Sequence, residues 1–205
     1  MIYYSIKAFE DSPVDEIVIV CSADYIEYFR HSIIEKYGFK KVKAIVQGGK
    51  ERYNSVYEGL KAANGTDYVL IHDGARPLVD NEIIVRSIHT VEKEKACVAG
   101  MPVKDTIKVS DELGYSANTP DRKSLWQIQT PQCFEYDLLA QSYDKLFSDM
   151  SCGKSVPAIT DDAMIVEYGS DTKVRLIEGS YENIKVTTPE DMGIAELFLK
   201  KRRKM

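Results

Sequence analysis

The chain predicts an α/β domain built on a mostly parallel sheet, and three observations carry that expectation. Short apolar runs alternate with segments whose apolar residues recur at helical spacing, so βα units repeat through the first half. Polar residues, glycines and prolines bound those runs, as strand ends and turns require. The length, 205 residues, suits one domain with a full core.

The elements follow in order. Ile2, Ile6 and Phe9 stand at helical spacing, and Ile17-Val18-Ile19-Val20-Cys21 is a strand. Tyr25, Ile26, Phe29, Ile33, Ile34 and Tyr37 mark one face of a helix that Gly38 ends. Residues 42–46 form the next strand, and residues 55–63 form a helix closing at Asn64-Gly65. Tyr68 to Ile71 is a buried strand, followed by the turn His72-Asp73-Gly74-Ala75-Arg76-Pro77. Ile83, Ile84, Ile88 and Val91 line another helix, and residues 98–102 are a short apolar piece. Repetition of this kind implies a sheet covered on both faces.

The pattern changes over about 103–129. Lys104-Asp105-Thr106-Ile107-Lys108-Val109 and a piece ending Leu125-Trp126-Gln127-Ile128-Gln129 flank a polar turn near 111–114. This describes a β-hairpin arm protruding from the main sheet. An isolated two-stranded ribbon is marginal in water, so burial against a second copy is expected, giving a homodimer built partly on the arm. Folding back onto its own domain is the alternative. Thr130-Pro131 places an N-cap residue before a proline at a first helical position, and Thr188-Pro189-Glu190-Asp191 repeats the pattern with an acidic third residue.

Twenty-seven basic and thirty-two acidic residues give a net charge of -5, which excludes a broad nucleic-acid surface. The basic run Lys200-Lys201-Arg202-Arg203-Lys204 suits the frayed C-terminal end of a helix. Four cysteines without paired spacing argue against a zinc site or a disulfide framework and fit a reducing cytoplasm. No run approaches the roughly 18 apolar residues of a membrane span, and no signal peptide is visible.

Ligand chemistry in open α/β sheets gathers at the carboxyl ends of strands. At the end of the Tyr68 strand, a carboxylate (Asp73), two small residues and Arg76 could hold a metal-bound phosphate; equally, Asp73 caps the next element. Gln47-Gly48-Gly49-Lys50-Glu51-Arg52-Tyr53-Asn54-Ser55 joins a strand to a helix, and its glycines admit a ligand close to the backbone or make an ordinary turn. Thr160 precedes Asp161-Asp162-Ala163 and reads as a helix cap. Lys185 lies in a short strand, residues 183–187, just before a capped helix. Arg122 lies in the arm, where a surface charge also accounts for it.

Together these motifs resemble the 2-C-methyl-D-erythritol 4-phosphate cytidylyltransferase family across nearly the whole chain. The resemblance rests on Gly48-Gly49-Lys50-Glu51-Arg52 with Ser55, on His72 to Pro77, and on Asp105-Thr106-Ile107. It continues through Gln129-Thr130-Pro131-Gln132, Thr160-Asp161-Asp162-Ala163 and Asn183-Ile184-Lys185-Val186-Thr187-Thr188-Pro189-Glu190-Asp191. The resemblance implies a Rossmann-like nucleotidyltransferase fold, a homodimer interlocked by the arm, and cytidylyl transfer from CTP to a polyol phosphate with Mg2+. It implies that Gly49, Lys50 and Ser55 hold the cytidine base, with Gly74 and Ala75 beside the nucleotide. Asp73 matches a carboxylate near the metal and the reacting phosphates. Arg76, Thr130, Thr160 and Lys185 match positions around the sugar phosphate and α-phosphate. Thr106 and Arg122 match arm positions that reach the partner's site. Lys185, Asp73 and Arg122 are the catalytic candidates.

One departure stands out. Family members open with a strand and a glycine-rich loop that wraps the triphosphate, then a Pro-Lys-Gln segment; here Met1 to Phe9 aligns with the helix that follows both. Three origins fit: a start codon placed inside the true frame, a sequence recording only part of the chain, or a shortened protein. Met1 falling within an element favours the first two. Loss of a normally central strand is expected to expose apolar core faces. A ribitol-5-phosphate cytidylyltransferase is the enzyme alternative, against which Gly74-Ala75 counts, since that sister family carries Ala-Val there. A non-catalytic dimeric remnant is the alternative from another class. Residues 1–205 alone are expected to show little or no pyrophosphate release from CTP and methylerythritol phosphate, and near-normal turnover would overturn that expectation.

Overall fold

The computed structural model describes residues 1–202. Helix α1 (Ile2–Glu10) buries Ser5, Ile6 and Phe9 on the face predicted by their spacing. Strand β1 (Ile17–Cys21) leads into a short 3-10 turn and α2 (Ile26–Tyr28), which continues as π-helical turns over Phe29–Glu35. Those wider turns shift the apolar stripe away from the 3.6-residue period. Ile33 reaches the core, whereas Tyr25 and Tyr37, expected on the same buried face, are 57% and 48% exposed. Gly38 ends the helix at φ 66°, a left-handed conformation.

Strand β2 (Val42–Gln47) pairs with β1 in parallel. Helix α3 (Arg52–Ala62) begins earlier than residue 55 because Glu51 and Asn54 form a reciprocal capping box. Strand β3 (Tyr68–Ile71) is half-buried along its whole length rather than buried. Helix α4 (Asn81–Glu94) is capped by Asp80, which accepts from the Ile83 amide at 2.9 Å, and β4 (Ala96–Pro102) follows.

The arm is a smaller hairpin than expected: β5 (Val109–Ser110) pairs with β6 (Ser116–Asn118), and Asp111 accepts from the Leu113 and Tyr115 amides in its turn. Trp126 to Gln129 belongs to the main sheet, within β7 (Trp126–Glu135), where Trp126 and Gln127 pair with Pro102 and Met101. Thr130-Pro131 is not a helix start. It lies inside β7 with a cis peptide bond, at the irregularity between the Val98–Gln132 and Gly100–Ile128 pairs. Proline has no amide to donate to a ladder and is accommodated where the register slips. Helix α5 (Tyr136–Ser151) starts after the strand ends.

Helix α6 (Asp162–Gly169) is capped by Asp161, which accepts from the Met164 amide at 3.0 Å; Thr160 stands one residue outside. Strand β8 (Arg175–Glu178) pairs with β4 in parallel, and α7 (Pro189–Arg202) closes the described chain. Asp191 accepts from the Thr187 and Thr188 amides at the start of α7, the backward half of a capping box. Of the basic tail, Lys200 to Arg202 end this helix, and Arg203 and Lys204 lie outside the described residues. Residues 183–187 form no strand: they are an irregular segment tied by a single backbone bond from the Val186 amide to the Ala75 carbonyl rather than by a ladder.

The strands order as β3-β7-β4-β8, with β1-β2 as a separate pair. β3, β4 and β8 point one way and β7 runs against them between β3 and β4, so this sheet is mixed rather than mostly parallel: β4-β8 and the separate β1-β2 pair are parallel, and both pairings of β7 are antiparallel. Among the described residues, β1 and β3 each leave one edge unpaired, which accounts for the half-burial of β3. Helix α3 packs on β1 and β2, with Gly59 close to Val20, and its Leu60 joins the core cluster against which Val69 and Ile71 of β3 also pack. The main core gathers Phe134, Leu139, Tyr143, Leu146 and Ile165, all 0% exposed, between β7, α5 and α6. Phe134→Ala is expected to cost about 3–5 kcal/mol in urea unfolding, because its neighbours are held by three elements and cannot collapse into the void.

Candidate active site

Beyond the end of β3 lies a cavity of about 240 Å³, lined chiefly by Arg52, Asp73, Arg76, Thr130, Gln132 and Lys185 together with Thr160 and Asp161. Asp73 is its centre of charge. Its Oδ2 is 3.0 Å from Lys185 Nζ and 3.7 Å from Arg76 Nε, and its Oδ1 is 3.7 Å from Arg52 Nε. Burial pushes this carboxyl up, but the Lys185 ammonium, with Arg52 and Arg76, outweighs burial and holds it below the usual carboxylate range. Asp73 is therefore ionised at neutral pH, and the pocket keeps a surplus of positive charge around it.

The cations come from three separate places, and each is held. Arg76 Nη1 donates to the Asn183 carbonyl at 2.8 Å. Its Nε is buried without a hydrogen-bond partner, a donor well suited to an anionic ligand. Arg52, the first residue of α3, donates from Nη2 to Asp162 Oδ2 at 2.7 Å. Asp162 is 0% exposed and also accepts from Tyr143 Oη at 2.8 Å. Burial raises the Asp162 carboxyl above its ordinary range despite the opposing guanidinium and phenol. Lys185 lies in the segment that the Val186–Ala75 bond ties to the turn after β3.

A hydrogen-bond chain fixes the backbone beneath Asp73. The Asp73 amide donates to Thr130 Oγ1 at 3.1 Å, and that hydroxyl lies 2.9 Å from His72 Nδ1. His72 Nε2 faces the Arg76 carbonyl at 3.1 Å. A carbonyl only accepts, so Nε2 carries the proton and Nδ1 accepts from Thr130. His72 is neutral: burial lowers it to about 4. Gln132 performs a similar task at α6, its Oε1 accepting from the Asp162 and Ala163 amides and its Nε2 donating to Asp161 Oδ2.

Of the residues expected at a site, Asp73, Arg76, Thr130, Thr160 and Lys185 share this cavity. Gly49, Lys50, Ser55, Gly74 and Ala75 lie outside its lining. The Gly49 amide donates to Ser55 Oγ at 3.1 Å, folding the loop onto the start of α3. A Cβ at Gly49 would stand 2.4 Å from the Asn54 Cβ, so no larger residue fits there. Gly74 accepts from Ser5 Oγ at 3.0 Å, which pins the turn to α1. Thr106 and Arg122 are exposed on the arm, and Arg122 donates to the Lys104 carbonyl at 2.9 Å rather than entering this cavity. Arg52, Asp162, Gln132 and His72 also belong to the site, and their signal is spatial rather than local: Arg52 enters it as the first residue of α3, and a Gln three residues past Gln129 carries no mark of a cap for a distant helix.

A larger open groove of about 750 Å³ runs between α4 and β8, where Arg86, Lys93 and Arg175 stand among Glu82, Glu94 and Glu178. Its charges balance, and it lies on the outer edge of the sheet.

Residues 1–201 match the profile of the 2-C-methyl-D-erythritol 4-phosphate cytidylyltransferase family, IspD. The chain belongs to this family. It is a nucleotidyltransferase fold, and the family works in isoprenoid precursor synthesis. Its relatives include the enzyme of that name from Lachnospira eligens, 51% identical over 98% of this chain and 86% of the relative. Another, from Lachnoclostridium phytofermentans, is 47% identical over 99% of this chain and 85% of its own length. The crystal structure of 4-diphosphocytidyl-2C-methyl-D-erythritol synthase from Anaerococcus prevotii superposes with a TM-score of 0.86 at 34% identity, covering 97% of this chain and 85% of that one. Family membership disfavours the ribitol-5-phosphate alternative.

The neutral His72 has a measurable consequence. Unfolded, it protonates near 6.5, whereas folded it resists until about 4. Stability is therefore expected to fall as pH drops through that window, by about 3 kcal/mol at its full extent. His72→Gln should flatten the slope relative to the parent in urea unfolding at stepped pH. Parallel slopes would mean that His72 is not held neutral.

Proposed function

We propose that the chain transfers the cytidylyl group of CTP to 2-C-methyl-D-erythritol 4-phosphate, with Asp73 and its three cations as the centre of the reaction. The observation that carries this reading is the pocket itself: an ionised carboxylate at a strand end, ringed by Lys185, Arg76 and Arg52, with an unpartnered buried guanidinium nitrogen. Two phosphate-bearing reactants must meet there, and the cations lower their mutual repulsion.

A phosphate oxygen of the sugar phosphate attacks the α-phosphorus of CTP in line. The new P–O bond forms as the α–β P–O bond breaks, and pyrophosphate leaves with the electron pair. The attacking phosphate is already ionised, so no general base is required. Lys185 neutralises charge that builds at the α-phosphate, and Arg76 and Thr130 orient the sugar phosphate. Thr160 stands at the same wall. Gly49, Lys50 and Ser55 receive the base, with Gly74 and Ala75 along the nucleotide.

Mg2+ belongs to this reading. Such an ion is usually held by one or two carboxylates plus substrate phosphates rather than by a dedicated cage, and the ionised Asp73 would supply one such carboxylate. When bound, it would neutralise charge on the triphosphate.

A homodimer completes the picture. Ile107, Val109, Leu113 and Tyr115 are exposed on the arm, which supports its burial by a second copy carrying Thr106 and Arg122 to the partner's site. A cytoplasmic location suits four cysteines that are free thiols; among the described residues no helix is long and apolar enough to cross a membrane.

Pyrophosphate release tests the whole. Lys185→Ala is expected to lower the rate with CTP and methylerythritol phosphate by roughly 10²–10³-fold, with little change in melting temperature. Equal rates in parent and variant, or faster turnover of ribitol 5-phosphate, would sink the assignment.

A further inference from the structure

One side chain joins the loop of Gly49 to Ser55 with Asp73. Arg52 stands at the first position of α3, between Glu51, whose side chain caps the helix, and Asn54, whose side chain closes the box. Its guanidinium ends in two carboxylates of different character. Asp162 is fully buried, held also by Tyr143 and with its amide on Gln132, so it is an immobile anchor. Asp73 lies at the pocket, and Arg52 approaches Oδ1, the oxygen that Arg76 and Lys185 leave free. An alternating chain thus runs from the core to the pocket: Tyr143, Asp162, Arg52, Asp73, Lys185.

We propose that Arg52 is a positioning residue for the transfer: braced against buried Asp162, it sets the Asp73 carboxylate relative to the nucleotide loop that begins its own helix. The inference rests on the proposed roles of that loop and of Asp73. An anchored guanidinium has a planar fork that serves two carboxylates at once, whereas lysine offers a point charge. Lysine at this position can neutralise Asp162 and keep the fold, yet it cannot also fix Asp73. In-line displacement is sensitive to such placement, and a misplacement of about 1 Å costs on the order of 10²-fold in rate. Arg52 acts through Asp73, so its loss should reach the chemical step more than ligand binding.

The test uses the full chain with Arg52→Lys, Asp162→Asn and the double variant. Single-turnover conversion, with enzyme in excess over CTP, reads the bond-forming step even where steady turnover is slow. Calorimetry reads CTP affinity, and thermal unfolding reads the fold. Arg52→Lys is expected to melt near the parent and bind CTP within about threefold, while its single-turnover rate falls roughly 100-fold. Asp162→Asn removes the brace and should lose rate similarly, and the double variant should lose little more than either single one, because both act on one unit. A parent-like rate in Arg52→Lys would overturn the proposal. So would a loss confined to CTP affinity, which marks direct ligand contact, or additive losses in the double variant. Absence of CTP binding in the parent itself would overturn the nucleotide-site reading, and this inference with it.

Discussion

A carboxylate that must stay ionised while half-buried is the constraint around which this molecule is arranged. Burial alone would favour the protonated form of Asp73, and three cations reverse that preference. They arrive from the start of α3, from the turn after β3 and from the segment before α7, so the elements must dock in register for the charge to balance. Loss of that register would leave Asp73 half-buried without the cations that hold it ionised, and burial would then favour its protonated form.

The supporting structure is polar where most interiors are apolar. Asp162, Gln132, Thr130 and Asn183 are deeply buried with His72 half-buried beside them, and nearly every donor and acceptor among them is matched. Gln132 ties β7 to α6, Thr130 ties β7 to the Asp73 backbone, and Asn183 donates to the Thr130 carbonyl at 2.9 Å. Strand β7 is the common element. It is the reversed strand between β3 and β4, and its irregularity at Thr130-Pro131 turns the Thr130 hydroxyl toward His72 and Asp73. A regular ladder would alternate side chains strictly between the two faces and could not supply Gln129, Thr130 and Gln132 to one locality.

Opposite this rigid half, the sheet is divided. β1-β2 and β3-β7-β4-β8 each end in an unpaired edge, and helix α3 bridges them. The loop of Gly49 to Ser55 and Arg52 therefore sit at the seam between the two sheets.

Much of this was legible in the residues alone. Period and punctuation marked β1, β2, β3, α1, α4 and the capped start of α7, because those signals are local. Asp73, Arg76, Thr130, Thr160 and Lys185 were found as a set because their motifs stand in family order. Other features depended on partners distant in sequence. Thr130-Pro131 has the local chemistry of a helix start, but pairing with β4 made it part of a strand. Residues 183–187 have the composition of a strand, but no neighbouring edge receives them. Asp162 looks like any acidic residue near a helix start, and its burial against Arg52 and Tyr143 exists only once α3, α5 and α6 pack. The sequence by itself determined the elements whose signals are local and which charges are available. The tertiary structure decided which charges neutralise one another, since an ion pair between residues 52 and 162 has no local pattern to announce it.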